Sequence, residues 1–422
     1  MRDLAQPILH HHFPFRRGFS IAQLYLFVRT LTARPDLARV VSFLSLELAS
    51  RPTASRNDPD FERVLQAAAP FSLKTATRWH PSWGPYIPPH VRAFEFLAPL
   101  AIHLCKNLQA IDLCQPGHGV SSEAYKTIFY HFQRQRMLVN VDRLSLAFGE
   151  PETSFDPIIL KGLNEYMPSL RTLQLYSAFN GDDRQNIIHP MDLSLLTRLD
   201  VIACRLSEIT LRTLLYTCTN LTDLTYLPEV RRRTPNRRPL TQTIDECCPN
   251  LHRTLRQLTV DDLGYFDFIP GYTSVRSLIA LEKIQLWASG LFSWIAKQNH
   301  LPGHLKRVPE PLLNILPSNI ISVGILEAEN WMKESSDLLI ELFEHIQTGN
   351  ASFPNLKEIR VWFTDAPWEK EKRMQGWDQA KVDVLATALG IKVFIEQQAR
   401  VPPSIDMLRD STDGAGMGLV YH

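Results

Sequence analysis

A short hydrophobic phrase recurs ten times along the 422-residue chain. It consists of an apolar residue, two residues of any type, an apolar residue, one residue of any type and a third apolar residue. The last two apolar positions have the two-residue period of a β-strand, which predicts one buried side and one free side. A single unit cannot cover its apolar side, whereas stacked units can, so the pattern predicts a solenoid. The phrases are Val41/Leu44/Leu46, Leu108/Ile111/Leu113, Val141/Leu144/Leu146, Leu170/Leu173/Leu175, Leu196/Leu199/Val201, Leu221/Leu224/Tyr226, Leu255/Leu258/Val260, Leu281/Ile284/Leu286, Ile320/Val323/Ile325 and Leu356/Ile359/Val361, with a shorter closing copy at 392–395.

Stretches with helical periodicity separate these phrases. The clearest cover residues 121–138, 335–346 and 378–389, and the last two end before glycine, as helices commonly do. Alternating helices and strands could also indicate a doubly wound nucleotide-binding sheet. No glycine-rich turn follows the early strands, however, and the strand phrase is nearly the same each time. We therefore predict an α/β solenoid with a parallel inner sheet and outer helices.

The spacing between phrases is irregular. The gap between Leu46 and Leu113 is about twice a repeat, which predicts a degenerate copy near residues 71–79. The longest loops are expected at 80–90, 225–239 and 363–377.

Composition narrows the function classes. Hydrophobic content of 45% and charged content of 21% are ordinary for a soluble folded protein. A net charge of +1 argues against bulk electrostatic binding to nucleic acid or to an anionic membrane. The six cysteines lack paired C-x-x-C spacing, which indicates a reducing compartment. No early apolar run has the length of a membrane span or the layout of a secretory signal, so a cytoplasmic or nuclear location is predicted.

One unit carries a family resemblance. Residues 196–206 fit L-x-x-L-x-L-x-x-N/C-x-L, with Cys204 at the turn position. A C-x-x-L junction follows at Cys218–Leu221 and recurs at Cys105–Leu108 and Cys248–Leu251. These segments resemble the cysteine-containing subclass of leucine-rich repeats. The resemblance implies that the α/β solenoid is a leucine-rich-repeat solenoid with irregular repeats, a curved parallel inner sheet and outer helices. That subclass is typical of F-box proteins, the substrate-recruiting subunits of cullin-type ubiquitin ligases.

The N-terminus is similar to the same family. Residues 2–13 resemble the last helix of an F-box and the link beyond it, as in fungal F-box proteins. We therefore divide the chain into an F-box remnant (1–20), the repeats (21–398) and a C-terminal tail (399–422). The L-P-x-E-type segment that binds the Skp1 adaptor would precede Met1, so either the gene model is truncated or that half has been lost. The resemblance implies an F-box-like substrate receptor of an SCF-type ubiquitin ligase, and the alternative is a stand-alone repeat scaffold.

Candidate chemistry is sparse. No G-x-S-x-G, Walker A, H-E-x-x-H or kinase motif occurs, so we predict no enzyme activity and no cofactor. The repeat cysteines fit packing positions, and no metal site is assigned. The three histidines at 10–12 are either a metal tract or, more simply, solvated side chains. The arginine-rich loop 231–238 fits an import signal, a patch for an acidic partner or a solvated loop.

The free side of the strands is the predicted binding site. Residues that alternate with the buried leucines should line the concave face of the sheet and contact a protein target. Exposed aromatic rings beside arginine are typical of binding hot spots, although a capping loop could instead cover the rings. The predicted residues are Tyr176, Arg198, Asp200, Gln285, Trp287, Arg360 and Trp362.

Overall fold

The computed structural model describes residues 12–14, 21–47, 89–115, 129, 138–148, 155, 157–179, 191–228, 240–261, 275–288, 312–326, 332–349, 353–364 and 377–398. These residues belong to two compact units. Unit 1 takes the chain up to Leu196 together with Cys204–Cys218, and unit 2 takes Thr197–Ala203 and the chain from Thr219 onward.

Unit 1 contains five paired strands and the helices between them. Strands β1 to β5 pair in parallel in chain order, with Phe43 beside Ala110 and Leu144 beside Leu173. The elements are β1 (His12–Pro14), α1 (Ile21–Ala33), α2 (Pro35–Val40), β2 (Phe43–Glu47), α3 (Pro89–Leu104), β3 (Ala110–Gln115), β4 (Arg143–Phe148), a 3-10 turn (Pro157–Leu160), α4 (Leu163–Tyr166), β5 (Thr172–Tyr176) and α5 (Glu208–Thr217).

Unit 2 repeats the same alternation. Strands β7 to β12 also pair in parallel in chain order. The elements are β6 (Arg198–Cys204, whose last residue groups with unit 1), β7 (Asp223–Pro228), α6 (Leu240–Cys247), α7 (Leu251–Thr254), β8 (Gln257–Val260), β9 (Lys283–Trp287), α8 (Leu312–Ile315), β10 (Ser322–Leu326), α9 (Met332–Gln347), β11 (Glu358–Thr364), α10 (Gln379–Leu389) and β12 (Lys392–Gln398).

The hydrophobic phrases form the core of both units. All thirty apolar positions of the ten phrases are at most 6% exposed, and most are completely buried. Burial of each leucine removes apolar surface from water, which stabilises the fold by about 25 cal/mol per Å² of that surface. The predicted α/β class, the parallel pairing and the burial of the phrases are confirmed.

Two of the three helix predictions are also confirmed. Helix α9 covers residues 335–346 and α10 covers nearly all of 378–389. The Asp378 side chain caps α10 by accepting from Lys381 N at 3.0 Å, and Gly390 ends it with a left-handed φ of 69°. Most of the predicted helix at 121–138 lies outside the described residues.

The same backbone junction links successive strands. One carbonyl oxygen accepts two consecutive N–H groups: Ser42 O accepts from Gln109 N at 2.8 Å and from Ala110 N at 3.1 Å. In unit 2, Arg256 O accepts from Glu282 N and Lys283 N, both at 2.9 Å. The register is therefore set at the start of each strand, before the leucines are reached.

Asparagines in front of the phrases strengthen this junction. Asn107 Nδ2 donates to Arg39 O at 2.7 Å, and Asn319 Nδ2 donates to Ile279 O at 2.7 Å and to Leu281 O at 3.0 Å. In both cases the donor reaches a carbonyl in the segment that precedes the neighbouring strand. The recurring Asn-apolar pair in the sequence thus has a direct structural role.

The segment predicted to hold a degenerate copy, 71–79, lies outside the described residues. Strand β2 nevertheless pairs directly with β3, from Phe43 beside Ala110 to Glu47 beside Cys114. The two strands on either side of the long spacing between Leu46 and Leu113 are therefore direct neighbours in the sheet.

Candidate protein-binding surface on strands β8–β12

Side chains that alternate with the leucines lie in register across unit 2. Thr259, Gln285, Gly324, Arg360 and Phe394 occupy matching positions on β8, β9, β10, β11 and β12. Four of these five are half-exposed, and the glycine is buried. Together with their neighbours they form what we call the β8–β12 surface: Thr259, Gln285, Trp287, Gly324, Arg360, Trp362, Phe394 and Glu396.

Trp362 lies across the neighbouring strand. A Cβ atom on Gly324 would lie 2.5 Å from Cζ3 of the Trp362 ring, closer than any packed pair of carbons can approach. The indole therefore occupies the space that a side chain would fill on β10. Its Nε1 donates to Glu396 Oε2 on β12 at 2.9 Å. The ring is thus held at both ends while part of it stays exposed.

Arg360 is the charged centre of the surface. Its guanidinium lies 3.4 Å from Glu358 Oε2 and 3.5 Å from Glu396 Oε1, and 5.1 Å from the centre of the Phe394 ring. The side chain remains 36% exposed, so these contacts orient the guanidinium without removing it from solvent. Its pKa is raised above the ordinary value, chiefly by the hydrogen bond to Glu358.

The pKa of the Glu358 carboxyl depends on its burial and on two hydrogen-bond donors. Burial acts to raise the pKa of its carboxyl, but the Ser322 hydroxyl, which donates at 2.9 Å, and the Arg360 guanidinium outweigh it. The net pKa lies below the usual value, so this carboxylate stays ionised. The β8–β12 surface therefore presents fixed charges of both signs beside two half-exposed indoles and a phenyl ring.

The predicted pair on β6 forms an ion pair. Arg198 Nε lies 3.2 Å from Asp200 Oδ1 and 3.1 Å from Oδ2. The Asp200 side chain is only 2% exposed, whereas that of Arg198 is 53% exposed. A buried carboxylate needs such a charged donor, so Asp200 serves to fix Arg198. Asp200 cannot itself contact a target in this position.

The exposure predicted for Tyr176 is wrong. Tyr176 is only 5% exposed, so it does not present its ring to solvent on the free side of the sheet. Trp287, Gln285 and Trp362 are half-exposed, as expected for residues on the free side.

Sequence reasoning missed four members of the surface. Thr259, Gly324, Phe394 and Glu396 were not predicted, although aligning the closing copy with the other phrases places Phe394 level with Arg360. The glycine at the matching position on β10, Gly324, could have indicated that a bulky side chain from a neighbouring strand occupies the space beside it.

Unit 1 carries a comparable polar row. Ser45, Asp112, Ser145 and Gln174 lie in register on β2 to β5, and the Ser145 hydroxyl donates to Gln174 Oε1 at 2.7 Å. Burial raises the pKa of the Asp112 carboxyl, although the Ser145 hydroxyl and the Arg143 charge oppose it. The Arg143 guanidinium lies 5.4 Å from the centre of the Phe43 ring.

The raised pKa of Asp112 predicts how its replacement affects stability. The folded protein holds this proton more tightly than the unfolded chain, so Asp112 costs stability once pH rises through its folded pKa. Asp112→Asn should therefore raise the melting temperature at pH 7–8, and the gain should vanish below pH 3.8, the ordinary pKa. Thermal unfolding followed by circular dichroism across this pH range measures the effect.

Asp36 is the matched control. Its pKa is lowered, chiefly by a hydrogen bond from Arg34 whose Nη2 lies 2.7 Å away. Asp36→Asn should lower stability at neutral pH and have no effect at acid pH, the opposite sign. A loss of stability at pH 7 in Asp112→Asn would contradict the assignment.

The cysteines are distributed over both units. All six are free thiols, and burial raises the pKa of Cys105 to about 12, so its thiol stays protonated at neutral pH. Among the described residues, no three His, Cys, Asp or Glu side chains come together as metal ligands would. Histidines 10 and 11 and loop 231–238 lie outside the described residues, and so do 80–88 and most of 225–239 and 363–377.

Within the described residues, none of the helices combines the length and the apolar character needed to cross a bilayer.

Comparison with known proteins adds no relative. No protein-family model matches the chain, and no curated protein shows significant similarity to it.

Proposed function

We propose that the chain is a leucine-rich-repeat recognition module that binds a protein target through the β8–β12 surface, in the role of an F-box-like substrate receptor. The observation that carries the proposal is the cluster of Trp362, Glu396 and Arg360. An indole, a guanidinium and a phenyl ring held half-exposed in fixed positions lose little freedom on binding, which is the property of binding hot spots.

The repeat assignment is supported by equivalent positions in successive phrases. Ser177 and Ala203 each stand two residues after the last apolar residue of a phrase, and both have left-handed φ values, 52° and 53°. Such values are uncommon outside glycine, so sharing one repeat position supports a common turn. Cys204 Sγ follows this turn and donates to Leu175 O, while Ala178 N donates to the same sulfur, each at 3.3 Å.

The C-x-x-L junction supports the same family. Leu108 N donates to Cys105 O at 3.3 Å, and Leu251 N donates to Cys248 O at 2.9 Å. Two segments with another residue in place of the cysteine behave alike, since Leu170 N donates to Met167 O at 3.0 Å and Leu356 N donates to Phe353 O at 3.1 Å. Cysteine, methionine and phenylalanine at this position thus end the preceding segment with the same turn.

The binding surface is tested by charge reversal. Arg360→Glu would place three carboxylates together and remove the cation from Phe394, so we expect loss of target capture of about tenfold or more. The measurement is quantitative affinity capture from cell extract with the tagged full-length chain. The amount of each captured protein is compared between the variant and the wild type. Thermal unfolding of the same samples establishes that the variant is folded.

Arg212→Glu provides the matched control, because Arg212 is exposed on α5 and undergoes the same change of charge. It should leave capture unchanged. Equal losses for both variants, or none for Arg360→Glu, would contradict a site on the β8–β12 surface.

The ligase role is tested separately by co-purification with Skp1. Stoichiometric recovery of Skp1 with the full-length product supports a substrate receptor, and its absence rejects the ligase role while leaving the binding surface untouched.

A stand-alone repeat scaffold is the second candidate. The observation that favours it is strand β1, because His12–Pro14 pairs with β2 in the segment that the resemblance assigned to an F-box link. A target captured through Arg360 without any Skp1 would select this alternative.

A further inference from the structure

The last strand of unit 2 leaves one edge without a partner strand among the described residues. β12 pairs with β11 over seven positions, and Lys392 N donates to Lys357 O at 2.9 Å. The N–H and C=O groups of one strand residue point to the same side, and the side alternates along the strand. Val393 and Ile395 therefore direct their backbone groups to the free edge.

The apolar residues of β12 are also less covered than those of its neighbours. Val393 and Ile395 are half-exposed, whereas Ile359 and Val361, level with them on β11, are completely buried. Helix α10, which packs with β12, leaves Val384 69% exposed. An uncovered apolar edge of this kind is a template for strand pairing unless something blocks it.

The sequence of β12 is complementary to itself. Residues 392–396 read Lys-Val-Phe-Ile-Glu, which is a cation, three apolar residues and an anion. In an antiparallel pair with its two-fold axis at Phe394, Lys392 faces Glu396 of the second copy and Val393 faces Ile395. The axis itself brings the two Phe394 rings together. Opposite charges and apolar residues thus meet at every position.

The hydrogen-bonding pattern fits the same register. Val393 and Ile395 carry the outward backbone groups, so they form the hydrogen-bonded pairs of this arrangement. Lys392 and Glu396 then fall at the non-hydrogen-bonded pairs, where side chains approach most closely. Shifting the axis by one residue, to Ile395, would place Phe394 opposite Glu396 and leave Lys392 without an acid.

We propose that a second copy of this chain pairs with the edge of β12, giving an antiparallel two-fold dimer centred on Phe394. This goes beyond the proposed function and does not depend on it, because the pairing is made by the free backbone edge of β12 and by the self-complementary order of residues 392–396. Phe394 and Glu396 nevertheless belong also to the β8–β12 surface, so Lys392→Glu, which lies outside that surface, is the variant that tests the dimer alone.

The test is sedimentation velocity of the full chain and two charge variants. Wild type is expected to be a dimer whose dissociation constant rises about tenfold or more in Lys392→Glu and in Glu396→Lys, because each places like charges opposite each other. Mixing the two variants restores both opposite-charge pairs, so the mixture should form a heterodimer of near wild-type affinity. That rescue requires both variants to be folded.

Lys283→Glu is the control, since Lys283 is an exposed lysine in the same register row as Lys392, three strands away. It should leave the dimer intact. A monomeric wild type, as expected if another protein's strand or another segment takes this edge, overturns the proposal. A dimer that Lys392→Glu does not weaken, or a mixture that remains monomeric, also overturns it.

Discussion

Replacing Leu286 by alanine is expected to lower the free energy of unfolding by about 2–5 kcal/mol. Leu286 is completely buried on β9, between Val260 on β8 and Ile325 on β10, which are also completely buried. The loss of stability has two parts, the apolar contacts removed with the side chain and the cavity left behind. The cavity persists because the parallel neighbouring strands on both sides hold the surrounding side chains in place. Urea unfolding followed by far-ultraviolet circular dichroism measures it.

Lys283→Ala on the same strand is the control. Lys283 is exposed, so its replacement should change the free energy of unfolding by no more than about 0.5 kcal/mol. If Leu286→Ala cost as little as the control, the leucines of the phrase would not form the core, and the repeat interpretation would fail with them.

Gly324→Ala is expected to cost about 1–3 kcal/mol of stability through overpacking. The added methyl would lie 2.5 Å from the Trp362 ring and 3.0 Å from Gln285 Cγ. Gln285 has a flexible side chain that can move aside, but the indole is tied by its bond to Glu396. The ring must therefore leave β10, and its bond to the carboxylate is strained or lost.

A double-mutant cycle isolates this contact. Trp362→Ala removes the ring, so Gly324→Ala should cost much less in that background than in wild type, a coupling of about 0.5–3 kcal/mol. Four unfolding curves complete the cycle, and tryptophan emission of Gly324→Ala should shift as Trp362 becomes more solvated. Additive costs would show that the glycine and the indole do not touch.

Much of the fold could be predicted from local pattern. The spacing of Leu199 and Val201, and of every other phrase, indicated strands with one buried side, and the capped segments at α9 and α10 indicated helices. These features depend on residues a few positions apart, which interact before any long-range contact forms. The pairing of β2 with β3 could not be read from spacing, since loop length does not determine which strands become neighbours.

The residues of the β8–β12 surface were predicted less completely than the helices and strands. Trp362 and Arg360 were identified because they alternate with leucines, but alternation alone could not distinguish them from Tyr176 and Asp200, which are buried. Whether a residue on the free side reaches solvent depends on side chains that only the tertiary structure brings beside it. Gly324 on β10 admits the Trp362 ring, and Glu396 on β12 anchors it.

By itself, the sequence determined that this chain alternates short buried strands with amphipathic helices, and where most of them lie. The spacing of apolar residues along the chain is enough to predict this, because burial of apolar side chains is the dominant favourable contribution to the free energy of folding. Only the tertiary structure decided which polar side chains meet, because Arg360, Phe394 and Glu396 are brought together by the register between strands 34–36 residues apart. That register follows from backbone hydrogen bonds at the junctions. Asparagines before the phrases strengthen the junctions, but neither they nor the backbone bonds depend on which side chains the register brings together.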